Sequence, residues 1–200
     1  MSGNQDDKNR IKEQSVTYEV YAAMPEDGYR YEIFDGELEM MSPGPSVVHQ
    51  GIVGKLQFIL RNTCHSEYTI LIAPLDVILS PTNVVQPDLL MIHNTRLNLV
   101  TMRGVEGAPD LVVEIISPGS RSRDKVKKLR IYVQHGIPEY WIIDSESRVL
   151  EQYLLAGDHY ELGNLFEGDD PVISDKLPCV SFIISDLFKD TVVQKLLSSN

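Results

Sequence analysis

Asp110-Leu111-Val112-Val113-Glu114-Ile115-Ile116 is the stretch on which the reading of this 200-residue chain turns. Its β-branched, apolar composition predicts a buried strand. Side chains alternate across a strand, so Asp110, Val112, Glu114 and Ile116 share one face, while Leu111, Val113 and Ile115 share the other. Pro118-Gly119 ends the run. Arg123 to His135 then carries Val126, Leu129 and Val133 at helical spacing and stops at Gly136 and Pro138; Glu139 to Ile143 resumes as a strand. The centre of the chain therefore predicts a strand, helix, strand unit, and the whole an α/β fold with a mixed sheet flanked by helices.

Working outward, Val16 to Met24 reads as a short helix ending before Pro25. Tyr29 to Phe34 and Glu37 to Met41 alternate as strands about Asp35-Gly36, the turn chemistry of a two-residue hairpin. Ser42-Pro43-Gly44-Pro45 breaks that pattern, and Ile52, Leu56, Ile59 and Leu60 mark one long helix with Ser46 as its cap. Tyr68 to Ile72, Leu75 to Leu79 and Asp88 to Ile92 read as strands, followed by a polar stretch through Gly107 read as mobile. Downstream, Val149 to Leu155 and His159 to Leu162 predict a hairpin, and Ser185 to Leu197 a closing helix. The expected layout is a mobile polar tail over residues 1–14 and a single domain over 15–200, with an N-terminal hairpin and a C-terminal hairpin and helix extension.

The apolar and charged fractions are those of an ordinary globular protein, and no run approaches the roughly 18 apolar residues of a membrane span. The polar N-terminus lacks the apolar segment of a secretory signal, which together with the composition points to the cytoplasm and to no membrane partner. Cys64 and Cys179 lack the paired spacing of a zinc or redox motif, so free thiols are expected. A net charge of −11 argues against general affinity for nucleic acid. Its distribution qualifies this: six of the eighteen Lys and Arg residues lie between Arg121 and Arg130.

Two carboxylates stand where burial is expected, Asp88 in Gln86-Pro87-Asp88-Leu89-Leu90-Met91-Ile92 and Glu114 in the central strand. An ionised carboxylate out of water costs several kcal/mol unless a cation or a hydrogen-bonded ion pair compensates it. If the two strands are neighbours, both carboxylates can converge on a hard cation such as magnesium. The competing reading is that each caps a strand end or pairs with a buried arginine. On the following helix Asp124, Lys128 and Tyr132 are spaced four apart and form one stripe at the edge of the apolar face, where Lys128 either leans over the sheet or makes an exposed pair with Asp124. Tyr140 and Trp141 are expected to pack in the core.

In order along the chain, Tyr31-Glu32-Ile33-Phe34-Asp35-Gly36-Glu37-Leu38, Met41-Ser42-Pro43, His49, Gln86-Pro87-Asp88, Pro109 to Pro118, Asp124 with Lys128 and Tyr132, and Gly136 to Asp144 resemble the Uma-type restriction endonucleases, a branch of the PD-(D/E)xK nuclease superfamily. The resemblance runs from about Val16 to Leu155. It implies a restriction-endonuclease-like fold and a metal-dependent endonuclease cutting phosphodiester bonds of nucleic acid, DNA in the first instance, with Mg2+ as cofactor and Mn2+ as a substitute. By the same resemblance Asp88 and Glu114 hold the metal and Lys128 completes the catalytic set, with Glu37 and His49 in support. The superfamily's usual lysine position, two residues after the acid, is Ile116 here, so Lys128 stands in from the next helix. Arg121, Arg123, Lys125 and Lys127 become candidates for contacts to the phosphate backbone, and a homodimer would suit cutting both strands of a duplex. A catalytically silent binding module of the same fold, and a metal-dependent hydrolase of a smaller phosphate ester, are the rival functions.

Overall fold

A computed structural model describes residues 15–41, 44–116 and 123–198. The chain opens with a short helix, α1 (Tyr18–Ala22), capped by the Thr17 hydroxyl. The hairpin β1 (Tyr31–Phe34) and β2 (Glu37–Met40) follows. Its turn has positive φ at both Asp35 and Gly36, as a twisted two-residue hairpin requires. A Cβ at Gly36 would collide with Ser15, so the position is closed to larger residues. Helix α2 (Val47–Cys64) starts at Ser46, whose hydroxyl accepts from the His49 amide at 3.2 Å.

Three strands follow in β3 (Tyr68–Ile72), β4 (Val77–Ser80) and β5 (Asn83–Val85), then β6 (Leu89–His93). After a 3-10 turn over Asn94–Leu99 come β7 (Val100–Thr101), β8 (Gly104–Glu106) and the central strand β9 (Leu111–Ile116). Helix α3 (Arg123–Gln134) leads to β10 (Glu139–Asp144), the hairpin β11 (Val149–Ala156) and β12 (His159–Phe166), a small pair β13 (Pro171–Ile173) and β14 (Ser181–Ile183), and α4 (Thr191–Leu197). No helix among the described residues is long and apolar enough to cross a membrane.

The main sheet has six strands in the order β12-β11-β10-β9-β6-β3, with β9 and β10 parallel and joined by α3, and β6 antiparallel to β9. This is the mixed sheet flanked by helices that the sequence predicts. Leu111, Val113, Ile115, Trp141 and Ile143 pack with α2 and the C-terminal elements, while Val112, Tyr140 and Ile142 pack with Ile131 and Tyr132 of α3. A second six-stranded sheet, β2-β1-β5-β4-β8-β7, contributes Phe34, Val77, Val85 and Val105 to the same core as α3. That sheet places the hairpin near the central helix.

Three expectations are corrected. The stretch 94–107 is ordered: Arg96 donates to Asp110 Oδ1 at 2.6 Å and to the Ala108 carbonyl at 2.8 Å, and β7 and β8 pair. The closing helix is shorter, because Ile184–Phe188 forms a 3-10 turn and Asp190 caps a new start for α4. The cysteines are not free thiols. Cys64 and Cys179 are disulfide-bonded with Cα atoms 5.1 Å apart, because the C-terminus of α2 packs against the segment before β14. Their separation of 115 residues hides this proximity from any reading of spacing. Closing so long a loop constrains the unfolded chain, so replacing both cysteines by alanine should lower stability by about 3 kcal/mol, or roughly 6–12 °C in melting temperature. Equal melting of the oxidised parent and the double variant would show that the bond does not form in solution.

Candidate active site

Asp88 and Glu114 come together through strand register. Leu89 of β6 lies opposite Val113 of β9 in an antiparallel pair, so one step further Asp88 faces Glu114. Pro87 keeps the chain extended into this position. Asp88 Oδ2 accepts from the Ile115 amide at 2.7 Å and lies 3.0 Å from His49 Nε2. The Ser46 cap fixes the first turn of α2 and with it the ring that meets Asp88.

Glu114 is 8% exposed and Lys128 6% exposed, and their side chains meet at 2.9 Å. The exposed Asp124–Lys128 surface pair is thereby overturned for Lys128. Helix α3 is rolled so that Lys128, Ile131 and Tyr132 are buried while Val126 is exposed, a rotation away from the face drawn through Val126, Leu129 and Val133. Tyr132, one turn beyond Lys128, donates its hydroxyl to the same Glu114 Oε1 at 2.8 Å.

A third carboxylate, absent from the sequence-derived set, completes the cluster. Glu32 of β1 is buried, lies 3.0 Å from Lys128 Nζ and accepts from the Gln86 amide at 2.8 Å. Glu37, the residue expected in support, is instead exposed on β2 and makes no ion pair with Lys128. The two glutamates occupy opposite arms of one hairpin, and Glu32 stands on the arm paired with β5. Lys127 is ion-paired with Glu39 and Arg130 with Asp35, so both are committed to docking α3 on the hairpin. Arg121 lies outside the described residues, and for Arg123 and Lys125 the description stops at the helix backbone.

The cluster holds three carboxylates, Glu32, Asp88 and Glu114, against the single ammonium of Lys128 among the described residues. Burial pushes Glu114 up to about 8; Lys128 opposes the rise, and Asp88 and Glu32 add to it. Burial pulls the Lys128 ammonium down, but Glu114, Glu32 and Asp88 outweigh it, so its pKa lies above the ordinary value and the group stays charged. Among the described residues no three His, Cys, Asp or Glu side chains form a ready-made metal cage. The chemistry of the donors nonetheless fits a hard divalent ion. Asp88 and Glu114 each use one oxygen within the protein, Oδ2 and Oε1, and leave the other without a partner among the described residues. Once Glu114 gives up its proton, a divalent charge would also match the excess of two negative charges.

Buried carboxylates are not all of this kind. Glu139 is fully buried, yet it accepts from Trp141 Nε1 at 2.6 Å, Gln152 Nε2 at 2.7 Å and Ser174 Oγ at 2.6 Å. Neutral donors satisfy it and no second carboxylate meets it among the described residues, so it ties β10 to β11 and to the residue after β13. Tyr140 and Trp141 are core residues, as expected.

Comparison with known proteins bears on the same region. Residues 18–184 match the family model Uma2, described as "Putative restriction endonuclease". A crystal structure from Anabaena variabilis ATCC 29413, of a protein described as a putative nuclease belonging to DUF820, superposes with a TM-score of 0.69 at 21% identity, over 86% of this chain and 97% of that one. At that identity the likeness establishes a shared fold. No curated protein matches the sequence.

Proposed function

This chain belongs to the Uma2 family of putative restriction endonucleases, and on that premise we propose that it is a divalent-metal-dependent endonuclease acting on DNA. The observation that carries the reading is the pair of carboxylate oxygens without partners among the described residues, one on Asp88 and one on Glu114, residues brought opposite each other by the register of β6 and β9 next to a buried ammonium. Asp88 and Glu114 would hold the ion, Mg2+ with Mn2+ as a substitute. When bound, that ion would supply a Lewis acid at the scissile phosphate and lower the pKa of an attacking water.

The remaining work falls to side chains. Lys128 supplies a compact positive charge for the oxygens of the pentacovalent phosphorane, where charge accumulates during in-line attack. It is pre-positioned, because burial and two carboxylate partners remove the freedom of a surface lysine. Glu32 gives that amine a second carboxylate partner besides Glu114, and Tyr132 steadies the Glu114 oxygen on the helix side. His49 and the Ile115 amide hold one Asp88 oxygen, which leaves the other for the ion. Arg121, Arg123 and Lys125, which precede or open α3 in sequence, are the proposed contacts to the phosphate backbone. Two copies of the chain would present two such sites to a duplex.

Incubation of the purified chain with linear, nicked and single-stranded DNA, with Mg2+, with Mn2+ and with chelator, tests the proposal. Cleavage that requires the metal is expected. Metal binding without cleavage of any substrate would instead favour a silent binding module.

A further inference from the structure

We propose that the cavity of about 530 Å³ between α1, the segment 24–29, the start of β1 and Asp76 binds a small organic cation of the guanidinium or ammonium class. Four of its lining side chains are aromatic: Tyr18, Tyr21, Tyr29 and Tyr31. The negative faces of such rings attract cations, and more strongly where water is excluded. The lining contains carboxylates but no Lys or Arg, so a phosphate-bearing ligand meets like charge, and the Arg103 guanidinium stacked on Tyr18 is already ion-paired with Glu19.

The carboxylates divide the work. Both oxygens of Asp27 are engaged, one by the Tyr29 amide at 2.9 Å and the other by the Tyr31 hydroxyl at 2.6 Å, which fixes the rim. Asp76 has one oxygen on Gln86 Nε2 at 2.8 Å and the other without a partner among the described residues. Burial raises its pKa, as an under-compensated carboxylate should show. Next to it Gln86 is 6% exposed, and its side-chain carbonyl also lacks a partner among the described residues. What the free oxygens of Asp76 and Gln86 lack among the described residues is donors, which a guanidinium or an amine brings together with positive charge.

The same cluster already accommodates one guanidinium. Arg103 lies with its Cζ 4.5 Å from the centroid of the Tyr18 ring, and its Nη2 donates to Glu19 at 2.5 Å. The cavity is also coupled to the carboxylate cluster around Lys128 without being part of it. Tyr31 lines the cavity while Glu32, its neighbour on β1, anchors Lys128, and Gln86 joins Asp76 to Glu32 through its side chain and its amide.

The test is calorimetric titration of the whole chain with agmatine, spermidine and N-acetylarginine amide, set against adenosine and cytidine. Saturable binding of a cation is expected, weakened about tenfold or more in Asp76→Asn and in Tyr29→Ala. Asp76→Asn keeps the acceptor for Gln86 and removes the charge. Tyr29→Ala changes an exposed ring and leaves the fold alone, so the second variant decides if the first does not fold. Binding of agmatine or spermidine alone points to a free metabolite, and binding of the arginine amide as well to a basic side chain of a partner protein. No saturable binding of any cation, undiminished affinity in both variants, or preference for a nucleoside would overturn the proposal.

Discussion

Asp88→Asn and Glu114→Gln should each reduce metal-dependent cleavage by about a thousandfold or more, with little loss of fold stability. Both changes keep size and shape and remove one negative charge from the pair that would hold the ion. In Asp88→Asn the side-chain carbonyl oxygen can still accept from the Ile115 amide, the contact that ties the start of β6 to β9. For Glu114 the expected sign on stability differs from that of an ordinary paired carboxylate. Its ordinary value is 4.5, and burial raises it to about 8 in the fold, so the folded state binds the proton more tightly than the unfolded chain does. The metal-free protein therefore loses stability as pH rises through that interval, and Glu114→Gln should flatten the dependence. Cation binding must displace the same proton, so affinity for Mg2+ should rise with pH up to about 8 in the parent and lose that dependence in Glu114→Gln. Thermal melts over a pH series, alongside a cleavage assay, measure both effects. Full cleavage by either variant would remove these residues from the reaction.

The parts of the site legible in the sequence are those in which one element declares itself. Asp110 to Ile116 is apolar enough to require burial, alternation then fixes the face of Glu114, and Asp88 follows a proline at the start of another apolar strand. Lys128 is visible as a stripe with Tyr132, but its burial is not, because the most apolar face of α3 runs through Val126, and Val126 is exposed. The roll of the helix is set by what lies above it. That is the second sheet, built on the three-residue strand β5, too short to announce itself. The same omission explains Glu32. In Tyr31-Glu32-Ile33-Phe34 a carboxylate stands among apolar residues, the signature that singles out Asp88 and Glu114, but a hairpin with one solvent face reads the same way. Glu139 shows the converse limit: its neighbours are equally apolar, and its three partners are neutral. Apolar context finds buried carboxylates; only the partners say which of them are short of positive charge. The Cys64–Cys179 bond belongs with the unreadable features, because it depends on how chain segments far apart in sequence pack.

Lys128→Met should separate the catalytic contribution of this lysine from its structural one. Methionine has nearly the length of the lysine stem and can fill the same space beside Tyr132, so the main change is loss of the buried ammonium. Glu32 and Glu114 then lose the charge that lies 3.0 and 2.9 Å from them. Breaking a buried pair by removing one partner commonly costs about 3–5 kcal/mol, which for a chain of this size lowers the melting temperature by roughly 6–20 °C. Cleavage should fall by about a hundredfold or more, the scale of removing one charge-stabilising donor from a transition state. The informative readout is the response to metal. With the ammonium gone, the three carboxylates have no lysine or arginine partner among the described residues, so Mg2+ should raise the melting temperature of the variant by more than it raises that of the parent, through linkage between binding and folding. Recovered stability without recovered cleavage would place Lys128 in the chemistry as well as in the fold. A variant as stable as the parent in chelator would mean that the ammonium does not sit between Glu32 and Glu114. A destabilised variant that metal does not rescue would mean that the carboxylates around Lys128 do not form a cation site, and would reduce the cluster to a structural ion-pair network.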